Sequence, residues 1–251
     1  MNATQSPNQS INVERLFEAI VSGDRFAARR IIADSVRQGN AETTISDLLW
    51  PTHELVEKLH RSDQLTTLAY HLSTRLLRMM VDQTSALLQR RPSIGRTIFA
   101  LSGPTHNEEL AAQMACDLLE AQGYEVNFAG GFQIMGDDTG GIPADEVLNT
   151  VQERKPDILL FFSSAARDLP AIRSMIDQIR DNGASASTQV VVGGGVFNRA
   201  EGLSEEIGAD LCCNDPLELV QVLTDEAMRP LRAKRSVSPA KRAVQAKRAA
   251  A

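Results

Sequence analysis

Four histidines, His53, His60, His71 and His106, are the side chains of this 251-residue sequence best suited to ligate a metal or carry a proton near neutral pH. His106 has the most telling surroundings. It lies in Arg96–Gly130, RTIFALSGPTHNEELAAQMACDLLEAQGYEVNFAG, which reads as strand, loop, helix, strand. Thr105 and Glu108 have the spacing of a capping box. Leu110, Ala111, Met114, Ala115, Leu118 and Leu119 recur at helical spacing, and Gly123 ends the helix. His106 thus sits where a strand hands over to a helix, the end of an open α/β sheet at which ligands bind. A helix N-terminus favours the neutral imidazole, the form that binds metal.

Other chemistries find less support. There is no nucleophile elbow, P-loop or HExxH motif, so no independent catalytic set is read. Gly193-Gly194-Gly195 is not GxGxxG. Asp137-Asp138 read as solvated turn residues. Cys116, Cys212 and Cys213 form no CxxC pair, which fits a reducing compartment. The polar start and the lack of a long apolar run lead to the expectation of a cytoplasmic protein without a membrane span. Net charge is −6, but the basic stretch 229–251 adds +8, so the remaining residues carry −14. An acidic body argues against nucleic-acid binding, except weakly through that tail.

Positioning His106 falls to two kinds of pattern. Residues 1–10 and 229–251 read as disordered. Residues 11–90 read as four amphipathic helices, a bundle: Val13, Leu16, Phe17, Ile20 and Val21; Phe26, Ala27, Ile31 and Ile32; Ile45, Leu48, Leu49, Val56 and Leu59; and Leu65 through Met80. Pro51 falls within the third and should bend it or mark a fresh first turn. Residues 91–96 are a linker. From 97 to 228, short apolar runs alternate with helical patterns, and DILLFF and QVVVGG are almost wholly apolar. Five βα units of this kind make a flavodoxin-like, doubly wound five-stranded parallel sheet. The glycine-rich loop 130–143 is then a rim, a lid or a mobile insertion.

A four-helix bundle, a linker, then a flavodoxin-like domain with a histidine after its first strand resembles the cobalamin-binding module of methionine synthase, corrinoid methyl carriers and cobalamin-dependent photoreceptor regulators. The resemblance spans roughly residues 40–227. In that family's Asp-x-His-x-x-Gly motif the histidine ligates cobalt from below. Here His106 is kept, the aspartate is Pro104 and the glycine is Glu109. The aspartate orients the imidazole, and Pro104 lacks the acceptor to do so. A family serine ending the third strand falls on Phe162, with Ser163 and Ser164 next to it. The glycines after the fourth strand match Gly193, Gly194 and Gly195, and Gly208-Ala209-Asp210 follow. In photoreceptor-like caps a tryptophan followed ten and eleven residues later by Glu-His covers the corrin. That phase falls on His60, Tyr70 and His71. His53 and His60 considered without the resemblance read as surface or cap-end residues.

The resemblance implies a cobalt centre ligated by His106 and a cobalamin contacted by Thr105, Ser163, Ser164, Gly193–Gly195, His60, Tyr70 and His71. It implies a regulatory or sensor module that acts through a protein partner or self-association. The alternatives are a corrinoid methyl-carrier subunit and a degenerate module without cofactor.

Overall fold

The structure is a computed structural model that describes residues 7–134, 140–181, 187–197, 202–213 and 216–228. Its first half is helical: α1 Pro7–Val21, α2 Arg25–Gln38, α3 Ala41–Thr44, a π turn over Ile45–Leu49, α4 Trp50–Arg61 and α5 Thr67–Ser85. α1 begins at Pro7, inside the stretch expected to be disordered. Proline suits a first helical turn, where its missing N–H costs nothing. Residues 1–6 and the basic stretch 229–251 lie outside the described residues.

The expected third helix is built in pieces. Asn40 and Thr43 form a capping box that starts α3. The backbone then widens, and the Trp50 N–H donates to the Ile45 carbonyl, five residues back. Pro51 follows in the first turn of α4, the fresh start its ring geometry favours. A π turn shifts the register of the residues after it, and such turns recur at functional sites. Here it sets the direction of Trp50 and of His53 one turn on.

In the second half, five parallel strands alternate with helices. They are β1 Thr97–Ser102, β2 Glu125–Gly131, β3 Ile158–Phe162, β4 Gln189–Gly193 and β5 Leu211–Cys213. The intervening helices are α6 His106–Ala121, α7 Ala144–Arg154, α8 Leu169–Asp181 and α9 Leu203–Glu206, with α10 Pro216–Met228 last. The strand order is β2-β1-β3-β4-β5, so the switch point lies between β1 and β3. β3 is buried throughout, as a central strand covered on both faces must be. The glycine-rich loop is pinned at its stem by a bridge between Phe132 and Ile142. Its tip, 135–139, including Asp137-Asp138, is outside the described residues.

α6 holds the two halves together. Leu110, Met114 and Leu118 enter the core of the bundle. Ala111, Ala112, Ala115, Cys116 and Leu119 pack on the sheet. Almost the whole circumference of the helix is therefore buried, and its small residues face the side where strands approach closely. The linker is strapped to the same helix's end. Arg91 N donates to the Ala121 carbonyl and Ile94 N to the Gly123 carbonyl, each at 2.9 Å. Gly123 has φ +96°, and a Cβ there would sit 2.3 Å from the Pro92 carbonyl oxygen. Gly123→Ala is therefore expected to lower unfolding free energy by about 2–4 kcal/mol, read from urea titrations followed by circular dichroism.

Candidate functional site

The crevice at the carboxyl ends of β1 and β3 is filled by one carboxylate. Glu108 Oε1 accepts from Ser164 N at 2.8 Å and from Ser164 Oγ at 3.0 Å. Glu108 Oε2 accepts from Thr105 Oγ1 at 2.7 Å, and the reciprocal cap bond runs from Glu108 N to Thr105 Oγ1 at 3.3 Å. A Cβ on Gly103 would meet the same carboxylate at 2.5 Å. Ser163, fully buried, donates to Asp168 Oδ2 at 2.6 Å. Burial alone raises a carboxyl pKa; at Glu108 the hydrogen bonds from Ser164 and Thr105 outweigh it and hold the group ionised. Asp168 is pushed well up by burial and by the neighbouring Glu108 charge, against the Ser163 bond.

The glycines after β4 serve the same close packing. Gly194 has φ +106°, and a Cβ there would lie 2.1 Å from the Ser163 carbonyl oxygen. Gly193 packs on the Phe162 ring, whereas Gly195 faces open space. Thus Thr105, Ser163, Ser164, Gly193 and Gly194 are gathered at one place, with Glu108 between them.

Above this crevice a cavity of about 210 Å³ separates α4 from the sheet. Trp50, His53, Glu57 and Arg61 line it from the cap; Asn107, Glu108, Phe162, Ser164 and Gly195 line it from below. The Trp50 and Phe162 rings meet edge to face, with centroids 6.1 Å apart. His53 stacks on Trp50 at 5.7 Å. It is only 5% exposed, and neither ring nitrogen has a hydrogen-bond partner. Burial lowers its pKa to about 4; the Asn107 backbone opposes this, while the Arg61 charge adds to it. Burial corrects the expectation that His53 is a surface or cap-end residue. Its spacing of three from both Trp50 and Val56 was the available signal, because it puts all three on one helix face.

The other expected cap residues stand elsewhere. His60 stacks on Tyr70 at 3.6 Å. Tyr70 Oη donates to Glu57 Oε1 at 2.9 Å, so this pair buttresses the cavity wall from behind. His71 is exposed. None of the three lines the cavity. His106 is the first residue of α6, with its side chain 91% exposed. Its Nδ1 lies 3.4 Å from Glu109 Oε2, and Glu109 pairs with Arg78 of α5 at 3.3 Å. Arg78 also donates to the His106 carbonyl at 3.1 Å. A larger cavity, about 500 Å³, is lined by Arg90, Arg91, Arg154 and Glu120 among others. It includes Thr97 and Glu125 and so opens at the amino ends of β1 and β2, away from the switch-point crevice. Among the described residues no group of three His, Cys, Asp or Glu is placed to hold a metal ion, and no helix is long and apolar enough to cross a membrane.

A depressed imidazole pKa makes a directional prediction. As pH falls below about 6.5 the unfolded chain protonates while buried His53 does not, so stability is lost down to about pH 4. The full loss is on the order of 3 kcal/mol. His53→Phe keeps the volume and removes the titration; urea unfolding at pH 7.5 and pH 5 is expected to show a smaller acid penalty than in wild type.

Comparison with known proteins follows the same division of the chain. The B12 binding domain family matches residues 96–219, and a second family, also described as B12 binding domain, matches residues 13–84. No curated protein matches. Among solved structures, the Methanosarcina barkeri monomethylamine corrinoid protein is similar with a TM-score of 0.71 at 16% identity, covering 87% of this chain and 99% of that one. A cobalamin-binding protein from Desulfitobacterium hafniense DCB-2 aligns at 16% identity over 86% of this chain and 98% of that one, with a TM-score of 0.44. The methanol:cobalamin methyltransferase complex MtaBC of Methanosarcina barkeri aligns at 15% identity over 91% and 87%, also with a TM-score of 0.44. The first of these shares the fold. With both halves matched in sequence, and with the helical half packed over the carboxyl ends of the strands, the chain belongs to the B12-binding family, as a cobalamin-binding module with a helical cap.

Proposed function

We propose that this module is a sensor, in which a change of ligation at cobalamin is passed to the helical cap through the first turn of α6. One observation carries the reading. Arg78 of the cap holds both the His106 carbonyl and the Glu109 carboxylate, so the loop bearing the candidate cobalt ligand is tied directly to α5. Farther along α6, Asp117 accepts a hydrogen bond from Ser85 at the end of α5. A displacement of the α6 start therefore pulls on the cap at its charged contacts, while the shared Leu110–Met114–Leu118 face keeps the two halves joined.

The residues fit cobalamin in their chemistry, and the space requires the cap to part from the sheet. Buried His53, with two unpartnered nitrogens, lies in the cavity between cap and sheet. That cavity has room for roughly seven waters, so the Trp50–Phe162 contact must open for a corrin to enter. When bound, cobalamin supplies a cobalt centre whose axial ligands exchange. In this reading His106 is the lower ligand. To turn inward it must leave the exposed first turn, breaking the Thr105–Glu108 cap and freeing Ser164 from Glu108. Loss of the cap and of the Ser164 bonds together costs a few kcal/mol, within reach of a tightly held cofactor. Glu109, already beside Nδ1, stands in for the acceptor that Pro104 lacks.

A methyl-carrier role is the second reading, and the corrinoid protein that shares the fold favours it. The cap side of the cavity weighs the other way: His53, Glu57 and Arg61 set polar groups where a carried methyl group would sit.

Reconstitution with methyl-, adenosyl- and hydroxocobalamin tests the proposal. Trp50, the single tryptophan, lines the cavity and should lose fluorescence as the corrin binds. His106→Ala is expected to weaken retention by at least the roughly 10–100-fold seen on loss of a partner that only orients a metal ligand, and to change the absorption spectrum. A spectrum unaltered by the mutation would remove His106 as ligand. Identical size-exclusion profiles for each ligand form, dark and illuminated, would count against the sensor.

A further inference from the structure

We propose that the cavity at the amino ends of β1 and β2 binds a small phosphate monoester, at a site separate from the crevice and independent of the cobalamin reading. At about 500 Å³ it has the size of an ordinary small-molecule site. α6 separates the two places. Its 16 residues span about 24 Å. His106 starts the helix beside the crevice, and Glu120 near its other end lines this cavity.

The charges favour a dianion. Arg90 and Arg91 enter from the segment before β1, and Arg154 from the last turn of α7. Arg90 pairs with Glu120 at 2.5 Å, and Glu125 accepts from Ser93 Oγ at 3.2 Å. The Arg91 and Arg154 guanidinium groups have no ion-pair partner among the described residues. Two such groups match the nearly double charge of a phosphate monoester, whereas a single carboxylate leaves one of them over. Helix C-termini carry partial negative charge, which opposes an anion here. The Ala121, Gly123 and Val151 carbonyls are already taken by the N–H groups of Arg91, Ile94 and Lys155. The guanidinium groups therefore set the local sign.

The organic part of the ester has its own contacts. Thr97 pairs with Glu125 and Phe99 with Asn127 in the β1–β2 register, so these four share one face of the sheet. Phe99 is buried in the core shared with Val147 and Val151 of α7, but Glu125 and Asn127 are exposed. Phe99 gives the cavity an apolar wall. Glu125 and Asn127 offer oxygens and an amide to hydroxyl or amino groups.

The full chain is titrated by calorimetry with AMP, inorganic phosphate and adenosine as probes. AMP is expected to bind, phosphate to compete with it, and adenosine to show no binding. Arg91→Gln and Arg154→Gln are each expected to weaken AMP roughly tenfold or more, as loss of a charged hydrogen bond does. Both arginines are exposed, so circular dichroism should show folded variants. Arg173→Gln, on α8 and outside the cavity, is expected to change nothing. No binding of either AMP or phosphate at millimolar concentration would overturn the site. So would adenosine binding as tightly as AMP, or equal weakening by Arg173→Gln. Amide ¹⁵N shifts of wild type locate the ligand without any variant: AMP is expected to move Gly123 and Asn127, and shifts confined to Ser164 at the crevice would sink the proposal.

Discussion

Glu108 does three things with one carboxylate. It closes the N-terminal cap of α6, it takes the Ser164 N–H and hydroxyl at the end of β3, and it fills the space against Gly103. The first turn of α6 and the β3 exit loop are thereby a single hydrogen-bonded unit. Since α6 also carries core residues of both halves, the position of this carboxylate sets the relation of the cap to the sheet. Moving it exposes an ionised group and orphans Ser164 at once, a penalty of a few kcal/mol.

That constraint explains why the cavity is small and polar. With Glu108 in place, Trp50 reaches down onto Phe162 and the cap rests on the strand ends. Phe162 occupies the slot where the resemblance puts a serine, and its ring supplies the contact surface that a hydroxyl would not. The closed form is thus stabilised by aromatic burial above and by charge-assisted hydrogen bonds below. Cobalamin binding between cap and sheet has to replace both.

Much of this was readable in the residues, and the failures have physical reasons. Five strands, their alternation with helices, and the Thr105–Glu108 box follow from local periodicity and capping chemistry, which the fold does not override. The π turn at Ile45–Leu49 was not readable, because its widened bond depends on how α3 and α4 meet the bundle. His53 was passed over because Glu54, Glu57 and Lys58 make its segment look charged, although Trp50 and Val56 share its helix face. Spacing chosen by resemblance led to His60, Tyr70 and His71; in the structure His60 stacks on Tyr70 and His71 is exposed. Glu108 was seen as a capping residue; its second role, across 56 residues to Ser164, is a tertiary contact with no local signature.

The departures at Pro104 and Glu109 then acquire a common logic within the proposed reading. An acceptor two residues before the histidine would orient the ring from within the β1–α6 loop, independently of the cap. An acceptor three residues after it lies one turn along the helix, and here that acceptor is shared with Arg78 of the cap. Relocating the carboxylate from position 104 to position 109 therefore exchanges a self-contained ligand loop for one whose geometry depends on where the cap sits. At an exposed site the ion pairs themselves contribute little stability. Their effect in the proposed reading is on coupling: the group that would orient His106 is held by α5, so ligation by His106 and the position of the cap would become one equilibrium.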